Sequence, residues 1–123
     1  MGTFVRVLAV GRIVAGVAMI LKPEETVGGW IGGRTASLGG TQAVTQAMGA
    51  RDLALGAGAL AAFARGSDAR TWVALGAFCD VVDLAATLTG EDIPLGGRVI
   101  VTAMATGAIA VSAGYLVSGA SDA

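Results

Sequence analysis

Five charged side chains stand in apolar surroundings: Arg12, Arg51, Asp52, Asp80 and Asp83. Arg51 and Asp52 are neighbours inside MGARDLALGAG (Met48–Gly58), a run otherwise built of Met, Gly, Ala and Leu. Asp80 and Asp83 lie in CDVVDLAAT (Cys79–Thr87), and Arg12 interrupts VGRIVAGVAMIL (Val10–Leu21). Guanidinium and carboxylate groups can neutralise one another, hold a ligand or carry a proton. Which of these they do depends on whether the fold brings them together.

Much other chemistry is excluded. The chain has no histidine and one cysteine, Cys79, so an internal disulfide, a Cys/His zinc site and His-assisted nucleophilic catalysis are all impossible. Cys79 has no basic neighbour in sequence and reads as an inert buried thiol. No cofactor and no metal are expected. The net charge is -1 and the basic residues are scattered, so nucleic acid is not an expected partner. Gly56-Ala-Gly58-Ala-Leu-Ala61 matches a GxGxxA dinucleotide pattern, but no strand precedes it and no βαβ alternation surrounds it.

The elements that must position the five charges are helices of membrane-spanning length. The chain is 123 residues long, 54% hydrophobic and 14% charged, against about 25% charged in an ordinary soluble domain. Residues 99–121 carry no charge, and a spanning helix needs roughly 20 apolar residues. Three further segments qualify if internal charges are tolerated: about Thr3–Leu21, Gln42–Ala64 and Thr71–Thr89. The fourth is taken as 98–118. The expected fold is therefore all-α, a single antiparallel up-down bundle of four transmembrane helices. The first apolar run is read as a retained helix and not a signal peptide, because Arg12 breaks it and no clean cleavage site precedes Lys22. Lys22–Thr41, with Gly-Gly pairs at Gly28, Gly32 and Gly39, reads as a long surface loop, Arg65–Arg70 as a tight turn, and Gly90–Gly97 as a Pro94-containing connection.

This topology places Arg6, Arg65 and Arg70 on the side of the termini, and Lys22, Arg34 and Arg98 on the other. The short, dense Arg65–Arg70 loop favours cytoplasmic termini, in a multi-pass protein of the inner (plasma) membrane. Trp72 and Tyr115 fall near one interface and Trp30 near the other.

Depth along the helices brings the charges together. Arg12 lies nine residues into the first segment and Asp80 nine into the third, which runs the same way. Arg51 lies nine residues inside the second segment, and Asp83 six from the corresponding end of the third, within about one turn of the same level. Gly76, Asp80, Asp83 and Thr87 form one stripe; Gln42, Thr45, Gly49, Asp52 and Gly56 form another; Arg98, Thr102 and Thr106 suggest a third. Gly11 with Ala15, Gly49 with Gly56, and Gly107 with Gly114 are expected to let helices approach closely. A lone charge at mid-membrane costs at least about 2.5–3.5 kcal/mol. Facing one another, two Arg and three Asp leave one carboxyl in excess, and Asp80 or Asp83 is expected to hold its proton.

The motifs GRIVAG (Gly11–Gly16), Pro23, GARDLALG (Gly49–Gly56) and CDVVDLAAT (Cys79–Thr87) together resemble the small four-helix integral membrane proteins of unknown function common in actinobacteria. The likeness covers about residues 4–118. It implies an integral membrane bundle and carries no activity.

From the charges alone, the leading expectation is a binding site for a small ligand or a proton, built by Arg12, Arg51, Asp52, Asp80 and Asp83. The second is a membrane-embedded acid–base isomerase or cyclase acting on a lipophilic substrate, with Asp80 or Asp83 as the acid. The third is a structural accessory subunit or homo-oligomer, whose ion pairs set helix register and whose Gly/Ala surfaces meet a membrane partner protein. All three expect the lipid bilayer as surroundings.

Overall fold

A computed structural model describes residues 2–119, and among them every regular element is a helix. These are α1 (Gly2–Leu21), α2 (Pro23–Ile31), α3 (Gly33–Ala36), α4 (Gly39–Ala64), α5 (Arg70–Thr89) and α6 (Leu95–Val117). Three of them, α1, α5 and α6, are long and apolar enough to cross a membrane, with peak mean hydropathies of 2.1, 1.5 and 1.8. The longest helix, α4, is not among the three, because Arg51 and Asp52 sit at its middle in a Gly/Ala-rich sequence of low hydropathy.

The four long helices pack as two close pairs, α1 on α4 and α5 on α6. Glycine makes the first contact. A Cβ on Gly16 would lie 2.5 Å from the Gly49 carbonyl oxygen and 2.7 Å from the Leu53 nitrogen. A Cβ on Gly56 would lie 2.5 Å from the Ala9 carbonyl oxygen. Position 16 thus meets 49 and position 9 meets 56, so the two helices run in opposite senses. In the second pair, Arg70 donates to the Leu116 carbonyl while Arg98 donates to that of Thr87, again an antiparallel register. Between the pairs, Val5 packs with Val73 and Arg12 with Asp80, so α1 and α5 run the same way.

The outside of this arrangement is apolar. Phe4, Val7, Val10, Val14, Val17 and Leu21 are all exposed at helical spacing on α1, and Leu75, Phe78, Val81, Val82 and Leu88 are exposed on α5. Buried polar groups point inward: Thr45, Asp80, Thr87 and Ser112. A water-soluble helix shows the reverse distribution.

Several expectations need correction. Lys22–Thr41 is not a loop but contains α2 and α3. Pro23 occupies the first turn of α2, where its missing N–H costs nothing, and Glu24 and Glu25 sit at the positive end of the helix dipole. The helix stops at Gly32, whose φ of +92° suits glycine. Tyr115 is buried with Val5 and Val73, and its ring meets Phe63 edge-on at 6.0 Å. Gly11 and Gly107 make no close contact, and Gly16 supplies the approach expected of Gly11. On α6 the buried line is Gly97, Ala105, Ser112 and Tyr115, while Thr106 is exposed. Weakly polar residues in so apolar a helix do not define a face.

Replacing Gly16 or Gly49 by Ala forces two backbones apart and lowers stability by about 1–3 kcal/mol. Gly11→Ala and Gly107→Ala, with nothing within 4 Å, stay within about 0.5 kcal/mol of wild type. Thermal unfolding of the detergent-solubilised protein separates the two classes.

Candidate functional site

The structure brings all five sequence-identified charges into one cluster, at the seam between the two helix pairs. Arg12 of α1 donates through Nη2 to Asp80 Oδ2 of α5, and its Nη1 lies 3.7 Å from Asp52 Oδ1 of α4. Arg51 of α4 grips Asp83 of α5 with two prongs, Nη2 to Oδ2 at 2.9 Å and Nη1 to Oδ1 at 3.3 Å. Its Nε and Nη2 also reach Asp52 Oδ1, at 3.2 and 3.1 Å. Charge-assisted, two-pronged bonds of this kind are the strong ones.

Each Arg therefore has a carboxylate partner on the opposite helix pair, and Asp52 is shared between the two. The α1/α4 side contributes Arg12, Arg51 and Asp52; the α5 side contributes Asp80 and Asp83. The inner ion pair is the better enclosed: the side chains of Arg12 and Asp80 are 10% exposed, those of Arg51 and Asp83 29% and 21%.

Glycine again makes room. A Cβ on Gly76 would lie 2.9 Å from Nη2 of Arg12 and 3.2 Å from its Cζ, so the guanidinium occupies the groove this residue leaves on α5. Both ends of the cluster are closed. Toward the start of α1, Val5, Val73 and Tyr115 pack with Phe63, and the Arg6 guanidinium lies 4.5 Å from the centre of the Phe63 ring. Toward the other end, Thr87 is fully buried, donates to the Asp83 carbonyl and accepts from the Trp30 indole N–H at 3.0 Å. Arg98 donates to the carbonyls of Thr87, Leu88, Gly90 and Ile93, satisfying the end of α5.

Sequence reasoning missed three of these contributors. Trp30 lay in the segment read as a loop, and only its helix turns the indole toward Thr87. Arg98 was placed on a polar stripe but acts as a cap on carbonyls. Ser112, buried and lining a cavity beside Arg12, lay outside the stripe proposed for α6. Among the described residues no group of three His, Cys, Asp or Glu is arranged to hold a metal ion. No protein-family model, curated protein or solved structure matches the chain.

Removing one member of the inner ion pair strands a buried charge. Arg12→Met costs about 3–5 kcal/mol of stability. Arg12→Met with Asp80→Leu recovers most of that loss, since an apolar pair of similar bulk replaces the ions. A double-mutant cycle read by thermal unfolding measures the coupling.

Proposed function

We propose that the chain is a multi-pass protein of the plasma membrane, with α1, α4, α5 and α6 as a four-helix transmembrane bundle and both termini on the cytoplasmic side. The kinship suggested by GARDLALG and CDVVDLAAT belongs to the same reading. The Arg/Asp cluster serves as its proton-binding site. One observation carries this: two guanidiniums face three carboxylates inside a protein whose outer surface is apolar.

The ion-pair geometry supports one seat for the proton. Asp80 has Arg12 and Asp83 has Arg51, while Asp52 only shares those two cations. Ionisation of all three would leave an uncompensated charge in a medium that strongly penalises it. Asp52 is therefore the carboxyl that takes and gives up the proton, in place of the Asp80 or Asp83 expected from spacing alone. The outer pair, Arg51 and Asp83, is the more exposed of the two. The cavity beside Arg12, at about 20 Å³, has the size of water, in keeping with a proton as the bound species.

The structural reading draws on a different observation: every carboxylate in the cluster has a guanidinium within 4 Å, as a pure register-setting clasp requires. The two readings separate in the infrared. In nanodiscs near neutral pH the proton-binding site gives a protonated-carboxyl C=O band, absent in Asp52→Asn, and that variant keeps wild-type thermal stability. Asp80→Asn and Asp83→Asn each take from an Arg its partner on the opposite helix pair and lose stability. Absence of the band from wild type, or its survival in Asp52→Asn, overturns the assignment in favour of the clasp.

A further inference from the structure

One buried polar atom among the described residues has no hydrogen-bond partner: the Ser112 hydroxyl of α6. The residue is 1% exposed. Helical hydroxyls commonly donate to a carbonyl one turn back. Thr45, Thr87 and Thr89 do so in this protein, to Thr41, Asp83 and Ala85. Ser112 does not. Leaving such a group unsatisfied costs about 1–3 kcal/mol.

Ser112 lines a cavity at the seam of the two helix pairs. Most of the wall is apolar, with Leu8, Ala9, Leu55, Trp72 and Val73 among its residues. The charged group on that wall is Arg12. Its guanidinium carries five N–H donors, and its ion-pair partners are the carboxylates of Asp80 and Asp52. The cavity therefore offers a guanidinium with donors to spare and a hydroxyl able to donate or accept. Its volume is about 20 Å³. A water molecule needs roughly 10–15 Å³ on the same measure, and an apolar cavity of this kind would stay dry. The two polar groups reverse that preference, and the volume suits a single water.

We propose that the cavity holds a single water molecule, bound between the Arg12 guanidinium and the Ser112 hydroxyl. The water accepts from Arg12 and completes the hydrogen bonding of Ser112. It extends the polar cluster across the seam from α1 to α6, and makes Ser112 a sixth member of the site. It gives the proton-binding reading a mobile, protonatable neighbour beside the inner ion pair.

The inference rests on the membrane reading only for the exclusion of bulk water, and the test tells the two apart. The full chain in liposomes is exposed to X-ray-generated hydroxyl radicals, and side-chain oxidation is read by mass spectrometry. Leu55, 9% exposed, lines the cavity, while Phe78, 67% exposed, lies on the outer face of α5. The bound water labels Leu55 in the wild type, and labelling drops to background in Ser112→Ala. No labelling of Leu55 in the wild type means a dry cavity and overturns the proposal. Equal labelling in Ser112→Ala means the water is not held by Ser112 and overturns it equally. Labelling of Phe78 counts against the membrane reading alone, and the comparison of wild type with Ser112→Ala still decides the water. Ser112→Ala adds no bulk and favours the helix; were it not to fold, the wild-type result at Leu55 decides by itself.

Discussion

The architecture depends on one electrostatic constraint. Charges removed from water must find opposite charges, and here the partners lie on different halves of the molecule. The α1/α4 pair brings two cations and one anion, and α5 brings two anions. Neither half is electrically satisfied alone. Packing between the halves is lighter than within them, so the ion pairs at the seam carry a share of the cohesion that side-chain interdigitation supplies elsewhere. The seam is also where the cavity lies. Site and joint are the same place for one reason: ions at an interface prevent the close packing of hydrocarbon on hydrocarbon.

The glycine contacts make that electrostatic match geometrically reachable. Gly16, Gly49 and Gly56 draw α1 and α4 to backbone contact, which brings Arg12 and Asp52 within ion-pair distance. Gly76 does the same for Arg12 and α5. Small residues usually gain dispersion contacts in apolar bundles. In this one they also set the distances over which charges interact, so each close approach has an electrostatic consequence.

The cluster was legible in the sequence because depth along a helix is a count of residues. Arg12 and Asp80 stand at equal depth, Arg51 and Asp83 nearly so, and the cost of an unpaired charge leaves few ways to arrange them. The α4 and α5 stripes were readable because their polar residues contrast with apolar neighbours. Where contrast failed, so did the reading. Helix α6 is apolar almost all round, and nothing in the types of Thr102, Thr106 and Ser112 says which hydroxyl turns inward. Paired glycines in 28–40 suggested loop, yet the flanking Pro23, Glu24 and Glu25 stabilise the start of α2, and contact of Trp30 with Thr87 and Gly97 holds it in place. Tertiary contacts of that kind are invisible to local propensity. The same holds for the burial of Tyr115 against Val5 and Val73 with Phe63 edge-on to its ring.

The adjacency of Arg51 and Asp52 bears on the order in which the chain is made. While α4 is being synthesised, Asp83 does not yet exist. Arg51 already has a counter-ion one residue away on its own helix. That neighbour makes the Arg51–Asp52 dipeptide electrically neutral before α5 is made. Once α5 is in place, Arg51 takes a two-pronged hold on Asp83 and keeps its contact with Asp52. The dipeptide thus has a counter-ion at both stages, within itself before α5 is made and on α5 afterwards.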